Sequence, residues 1–116
     1  VSARAETLLW LVQRASAAVL GAAVVVHITT VVFAVQGGLT ADEVLSRLRG
    51  SGGWLAFYLV FVAAAAVHAP IGLRTILREW TPVPHPAADL LSIAFAILLF
   101  ALGAHAAFGL YGLGGA

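Results

Sequence analysis

Polar positions along this chain fall into clusters, and the intervals between the clusters are long and apolar. Residues 15–41, 51–73 and 90–116 carry no charged side chain. Each interval exceeds the roughly 20 residues that cross ~30 Å of hydrocarbon at ~1.5 Å rise per residue. Alanine and leucine dominate, and the runs are too long for strands. The pattern predicts three transmembrane helices, near Ala5–Val35, Trp54–Glu79 and Ala88–Leu113. The first run reads as a span and not as a cleavable leader, because it is too long and holds Arg14 and His27 inside it. The chain begins at Val1 and holds no methionine, which predicts an initiator residue lost before it.

The connections carry their own signals. Thr40 and Glu43 have capping-box spacing, so a short surface helix is expected over Ala41–Arg49, ended by Gly50, Gly52 and Gly53. The second connection, Trp80–Ala87, has Pro82, Pro84 and Pro86 on alternate positions. Such prolines stiffen an extended bridge and do not continue a helix. Asp89 is expected in the first turn of the third span, where a carboxylate complements the helix dipole. Pro70 is expected to kink the second span.

Composition turns this pattern into an exclusion. Of 116 residues, 62% are hydrophobic and 9% charged, with mean hydropathy +1.04. Soluble domains carry roughly 25% charged residues. A soluble enzyme, a disordered chain and a nucleic-acid binder are therefore excluded. The absence of cysteine removes disulfides, thiolate catalysis and cluster ligation. One domain spanning residues 1–116 is the natural count. The charged residues are six arginines and five carboxylates. Arg4, Arg14, Arg74 and Arg78 fall on one face of the membrane, against Arg47 and Arg49 on the other. The imbalance predicts a multi-pass protein of the inner (plasma) membrane with its N-terminus cytoplasmic and its C-terminus outside. Trp10, Trp54 and Trp80 fall near the predicted interfaces, where amphipathic rings are favoured.

Four histidines stand out in so apolar a chain. An ionisable side chain inside hydrocarbon is costly and marks a site. His68 has Ala64 and Gly72 at four-residue spacing on its own helix face. This small–His–small trough suits a flat macrocycle, and a transmembrane imidazole is a standard axial ligand of b-type haem. The alternative is a hydrogen bond to a neighbouring helix. His27 lies 13 residues past Arg14, roughly 20 Å deeper, whereas His68 is roughly 9 Å from the same face. Two histidines about 10 Å apart in depth cannot share one iron. His27 is therefore either a ligand of a second, outer haem or a packing residue near Thr29 and Thr30. His105 repeats the small-residue pattern with Ala101 and Gly109, and either serves an outer haem or packs. His85, in the proline bridge, reads as a solvated or partner-contacting residue.

Two segments carry a family resemblance. His68, Gly72, Leu73 and Arg74 form an H-x-x-x-G-[IL]-R stretch. It resembles the haem-ligating segment of the cytochrome b anchors of succinate dehydrogenase and fumarate reductase. Gln13, Arg14, Ser16 and Ala17 resemble that family's H-R-x-S-G signature, whose arginine and nearby serines line a quinone site beside the iron–sulfur subunit. Trp10 stands where the family often has a quinone-contacting serine, Ala17 replaces the signature glycine, and Thr75 replaces a histidine that often follows the arginine. His27 is similar to the first-helix histidine of di-haem members.

The resemblance implies an all-α membrane protein whose three transmembrane helices form part of a haem-binding bundle. It implies His68 as ligand of an inner haem b, His27 as ligand of a possible outer haem, and Arg74 as a propionate partner. It implies a quinone site at Arg14, Ser16 and Trp10. FAD and iron–sulfur clusters would lie only in partner subunits, a flavoprotein and an iron–sulfur protein. The chain would be a non-flavin subunit of a succinate:quinone oxidoreductase-type complex, not catalytic in isolation. Because it offers no second histidine at the depth of His68, the other axial ligand would come from a second anchor subunit or a second copy of this chain. The competing readings are the cytochrome b anchor of another flavoprotein dehydrogenase and a haem-free structural anchor. A transporter or channel is disfavoured, because all five carboxylates lie outside the spans or at their ends.

Overall fold

The structure is a computed structural model, and it describes residues 2–112. Those residues form four helices: α1 (Ala3–Gln36), α2 (Ala41–Leu48), α3 (Gly52–Trp80) and α4 (His85–Gly112). α1, α3 and α4 are each long and apolar enough to cross a membrane. The all-helical bundle with three spans agrees with the sequence pattern. Leu113, the expected end of the third span, lies outside the described residues.

The helix ends explain where the boundaries moved. α1 runs one residue past its expected end and closes in a Schellman motif. The Leu39 N–H donates to the Ala34 carbonyl and the Gly38 N–H to the Val35 carbonyl, with Gly38 at φ 69°. The capping box forms as expected: Thr40 Oγ1 accepts from the Glu43 N–H, and the Thr40 N–H donates to the Glu43 carboxylate. α2 ends at Leu48, and Gly50 takes the left-handed conformation. Gly52 and Gly53 do not belong to that ending. Ser51 accepts the Trp54 N–H and caps α3, which pulls both glycines into its first turn.

α4 begins at His85 rather than Ala88. Pro86 sits at its second residue, where a missing N–H costs nothing. The last proline of the bridge therefore starts the helix, and His85 is its first residue. Asp89 in turn lies beyond the first turn, and its carboxylate faces arginines of α3 instead of the helix N-terminus. Pro70 is buried inside α3, which continues unbroken on both sides of it.

α3 is the middle helix and packs against α1 on one side and α4 on the other. The seams between helices are built from small residues. Among the described residues, Ala23, Ala64, Ala66, Pro70, Ala88 and Ala107 are the buried apolar ones, and Ser16 and Ser92 the buried polar ones. Small side chains let helix backbones approach, which is how helices associate where lipid offers no hydrophobic driving force. The seam between α3 and α4 is close at Gly103, where an added Cβ would stand 2.5 Å from a Val62 methyl. The large apolar side chains, including Leu8, Val25, Phe33, Val35, Leu90 and Ile97, point outward. That surface suits lipid or further helices, not water.

Candidate haem-ligand and charge sites

The sites are ordered along the bundle by the helices that carry them. At one end lie the N-terminal turns of α1 and α4 and the last turns of α3. Here Arg74 donates through Nε to Asp89 at 2.8 Å and through Nη2 to Glu6 at 2.9 Å. Arg78 donates through Nη1 to the same Asp89 at 3.1 Å. The cluster joins α1, α3 and α4. The two arginine side chains are only 12% and 19% exposed, so the carboxylates satisfy cations that packing has largely removed from water. The resemblance had set Arg74 against a propionate. Among the described residues its Nε and one Nη2 N–H go to protein carboxylates, leaving Nη1 and the second Nη2 N–H for any further anion. The sequence reading passed over Glu6 and set Asp89 against the helix dipole instead of the arginines, although their place at the end that holds both arginines was a signal for the pairing.

About one turn further along, Arg14 and Trp10 share a face of α1. The guanidinium sits 4.4 Å from the Trp10 ring centroid. Both side chains are exposed on the outside of the bundle. Ser16, grouped with them by sequence, lies two residues on from Arg14, and about 100° of rotation per residue turns it to the opposite side of α1. It is 8% exposed and faces α3.

Ser16 meets His68. Its Oγ lies 3.4 Å from His68 Nδ1 and 3.0 Å from the Gln13 carbonyl oxygen. Gln13 lies over the next turn of α3, its Nε2 in van der Waals range of the position a Cβ on Gly72 would take. The buried Gln13 Oε1 has no hydrogen-bond partner among the described residues. The small–His–small face is thus not an open trough. α1 occupies its Gly72 end, because small residues admit a helix as readily as a macrocycle. His68 is half-buried, and among the described residues its hydrogen-bond contact is through Nδ1 alone.

His27 lies level with Tyr58, whose hydroxyl is 3.5 Å from His27 Nδ1, and the Phe61 ring stands edge-on to it at 5.8 Å. Tyr58 and His68 are ten residues apart on α3, so the two histidine levels differ by about 15 Å. The depth argument stands with a wider margin. His105 and His85 are both exposed, and neither meets the other histidines. Tyr58 was missed by the sequence reading, and counting depth along α3 would have placed it opposite His27.

A groove of about 500 Å³ runs between α1, α3 and α4 near the charged cluster, lined by Leu9, Ala66, Pro70, Arg74 and Ser92 among others. Ser92 Oγ is buried there with no partner among the described residues. No group of three or more metal-binding side chains occurs among the described residues. Haem asks the protein for only one or two axial ligands, and a half-buried imidazole with one nitrogen engaged suits that demand.

These features define a multi-pass helical membrane subunit with isolated intramembrane imidazoles. Residues 1–103 match the succinate dehydrogenase/fumarate reductase transmembrane subunits, and the chain belongs to that family. It is thus a membrane subunit of the kind that anchors such complexes. No curated protein and no solved structure matches the chain.

Proposed function

We propose that the chain is a cytochrome b anchor that links an iron–sulfur subunit to membrane quinone in a succinate dehydrogenase- or fumarate reductase-type complex. The observation that carries this reading is His68: an imidazole within a membrane span, half-buried, contacted at Nδ1 by Ser16, with Nε2 left for an inner haem b. Haem b, when bound, relays single electrons between the iron–sulfur subunit and quinone. The second axial ligand comes from another anchor subunit or a second copy of this chain, since His27 lies about 15 Å away in depth. Any haem that His27 holds is a second, outer one. His105 points out of the bundle, so as a ligand it would serve a haem shared with another chain.

The exposed Trp10–Arg14 pair is the part of the expected quinone site that stays together, and Arg14 offers donors to a quinone carbonyl. Arg74 reaches a propionate only through the N–H groups that Glu6 and Asp89 leave on Nη1 and Nη2. The flavoprotein that holds FAD and the iron–sulfur subunit dock at the end carrying Arg14, Arg74 and Arg78. That end is cytoplasmic by the arginine imbalance, in the inner (plasma) membrane.

The test is a reduced-minus-oxidised spectrum of the complex purified from membranes through this chain. A b-type α band in the wild type and its loss in His68→Ala, with the partner subunits still bound, is the expected result. A full band in that variant overturns the assignment.

A further inference from the structure

Hydrogen-bond donors at Ser16 are few enough to be counted. The hydroxyl has one proton. At 3.0 Å its neighbour is the Gln13 carbonyl, which accepts and never donates. The Ser16 proton therefore goes to Gln13, and Oγ presents lone pairs to His68 Nδ1 at 3.4 Å. Two lone pairs facing each other repel, so Nδ1 carries the ring proton and donates it to Ser16. A neutral imidazole has one N–H, and Nε2 is left as a bare electron-pair donor. We infer that Ser16 is a positioning residue for metal ligation. Through the Gln13 carbonyl it holds His68 in the tautomer whose Nε2 can bind iron, and it raises the basicity of that nitrogen.

This role differs from the quinone contact suggested by the sequence, and burial separates the two. Ser16 is 8% exposed, facing α3, while Arg14 is exposed on the other side of α1. Ligating histidines commonly donate their second N–H to an acceptor that fixes ring orientation. Here the acceptor is supplied by a different helix, so the packing of α1 on α3 and the chemistry of His68 are one feature. Alanine at position 16 would leave Nδ1–H unpaired and the ring free to turn.

The inference rests on His68 as the haem ligand, and the experiment separates the two. Ser16→Ala and Ser16→Thr complexes are compared with wild type and with His68→Ala by haem content, haem midpoint potential, the low-spin electron paramagnetic resonance signal and quinone KM. Ser16→Ala is expected to weaken haem retention by about 10- to 100-fold, the range for lost second contacts of metal ligands. The remaining haem should have a raised midpoint potential and a shifted low-spin signal. Ser16→Thr keeps a hydroxyl that bonds a carbonyl one turn back, and is expected to restore both. A Thr variant that behaves like the Ala variant overturns the inference, as does a Ser16→Ala complex with unmoved potential and signal. A changed quinone KM with unmoved haem properties assigns Ser16 to quinone instead. Haem content undiminished in His68→Ala brings down the ligand assignment itself, whatever position 16 does.

Discussion

Gly103→Ala tests the packing that places the sites. The added Cβ would stand 2.5 Å and 2.8 Å from the two Val62 methyls and 3.2 Å from Val62 Cβ. Valine fills two of its three staggered sites in every rotamer. Both sites now filled face Gly103, so any other rotamer keeps one methyl in a close position. The side chain cannot clear the clash, and the α3–α4 seam must open. Overpacking of this kind costs about 1–3 kcal/mol. Replacing glycine by alanine inside a helix returns about 1 kcal/mol. The net expectation is a loss of up to about 2 kcal/mol. In a Val62→Ala background the close methyls are gone, and the same change should be neutral or stabilising by up to about 1 kcal/mol. Unfolding of the detergent-solubilised chain in rising sodium dodecyl sulfate, followed by the fluorescence of its three tryptophans, measures all four corners of the cycle. Equal effects of Gly103→Ala in both backgrounds would refute the close seam.

Other expectations follow from the polar contacts. Asp89→Asn removes the negative charge that Arg74 and Arg78 share and should cost about 1–2 kcal/mol, between exposed and buried pairs. Glu6→Gln, at a carboxylate 48% exposed, should cost less than Asp89→Asn, because solvent screens the pair. The same unfolding assay ranks them, and a larger effect at Glu6 contradicts the geometry. Thr40→Ala should loosen α2 by about 1 kcal/mol, read as faster amide exchange over 41–48 with the spans unchanged. His85→Ala should leave haem content at wild-type level, because that ring is exposed at the start of α4, away from the levels of the half-buried His27 and His68.

What could be read from sequence was local or one-dimensional. The three spans followed from length and hydropathy, and the Thr40–Glu43 box from a three-residue spacing. The depth of each histidine followed from helical rise. Rotation of each helix about its axis did not. α1 and α4 are apolar on every side, so no stripe marks the packed face, and the Ser16–His68 meeting across 52 residues had no signature. Pairing in the charged cluster was hidden for a related reason. Arg74, Glu6 and Asp89 each look like an ordinary end-of-helix charge until three helix ends converge. The glycines at 52 and 53 were misplaced because Ser51 decides their side, and glycine alone marks a break without saying which element owns it.

The central place of α3 has a consequence for biosynthesis. α1 leaves the ribosome first, yet its packing partner is α3, so it waits in the bilayer while α2 is made. The contact that brings Ser16 of α1 to His68 of α3 needs no residue of α4. Without α4, Arg74 would keep Glu6 but lack Asp89, and Arg78 would have no carboxylate from α4. Arrival of α4 supplies one acidic group to both cations, and Gly103 then lets it slide against Val62 to final depth. The ion cluster works as a depth gauge: a last helix inserted one turn too shallow or too deep, about 5.4 Å, would leave Arg78 without Asp89 and Arg74 with Glu6 alone at the membrane edge.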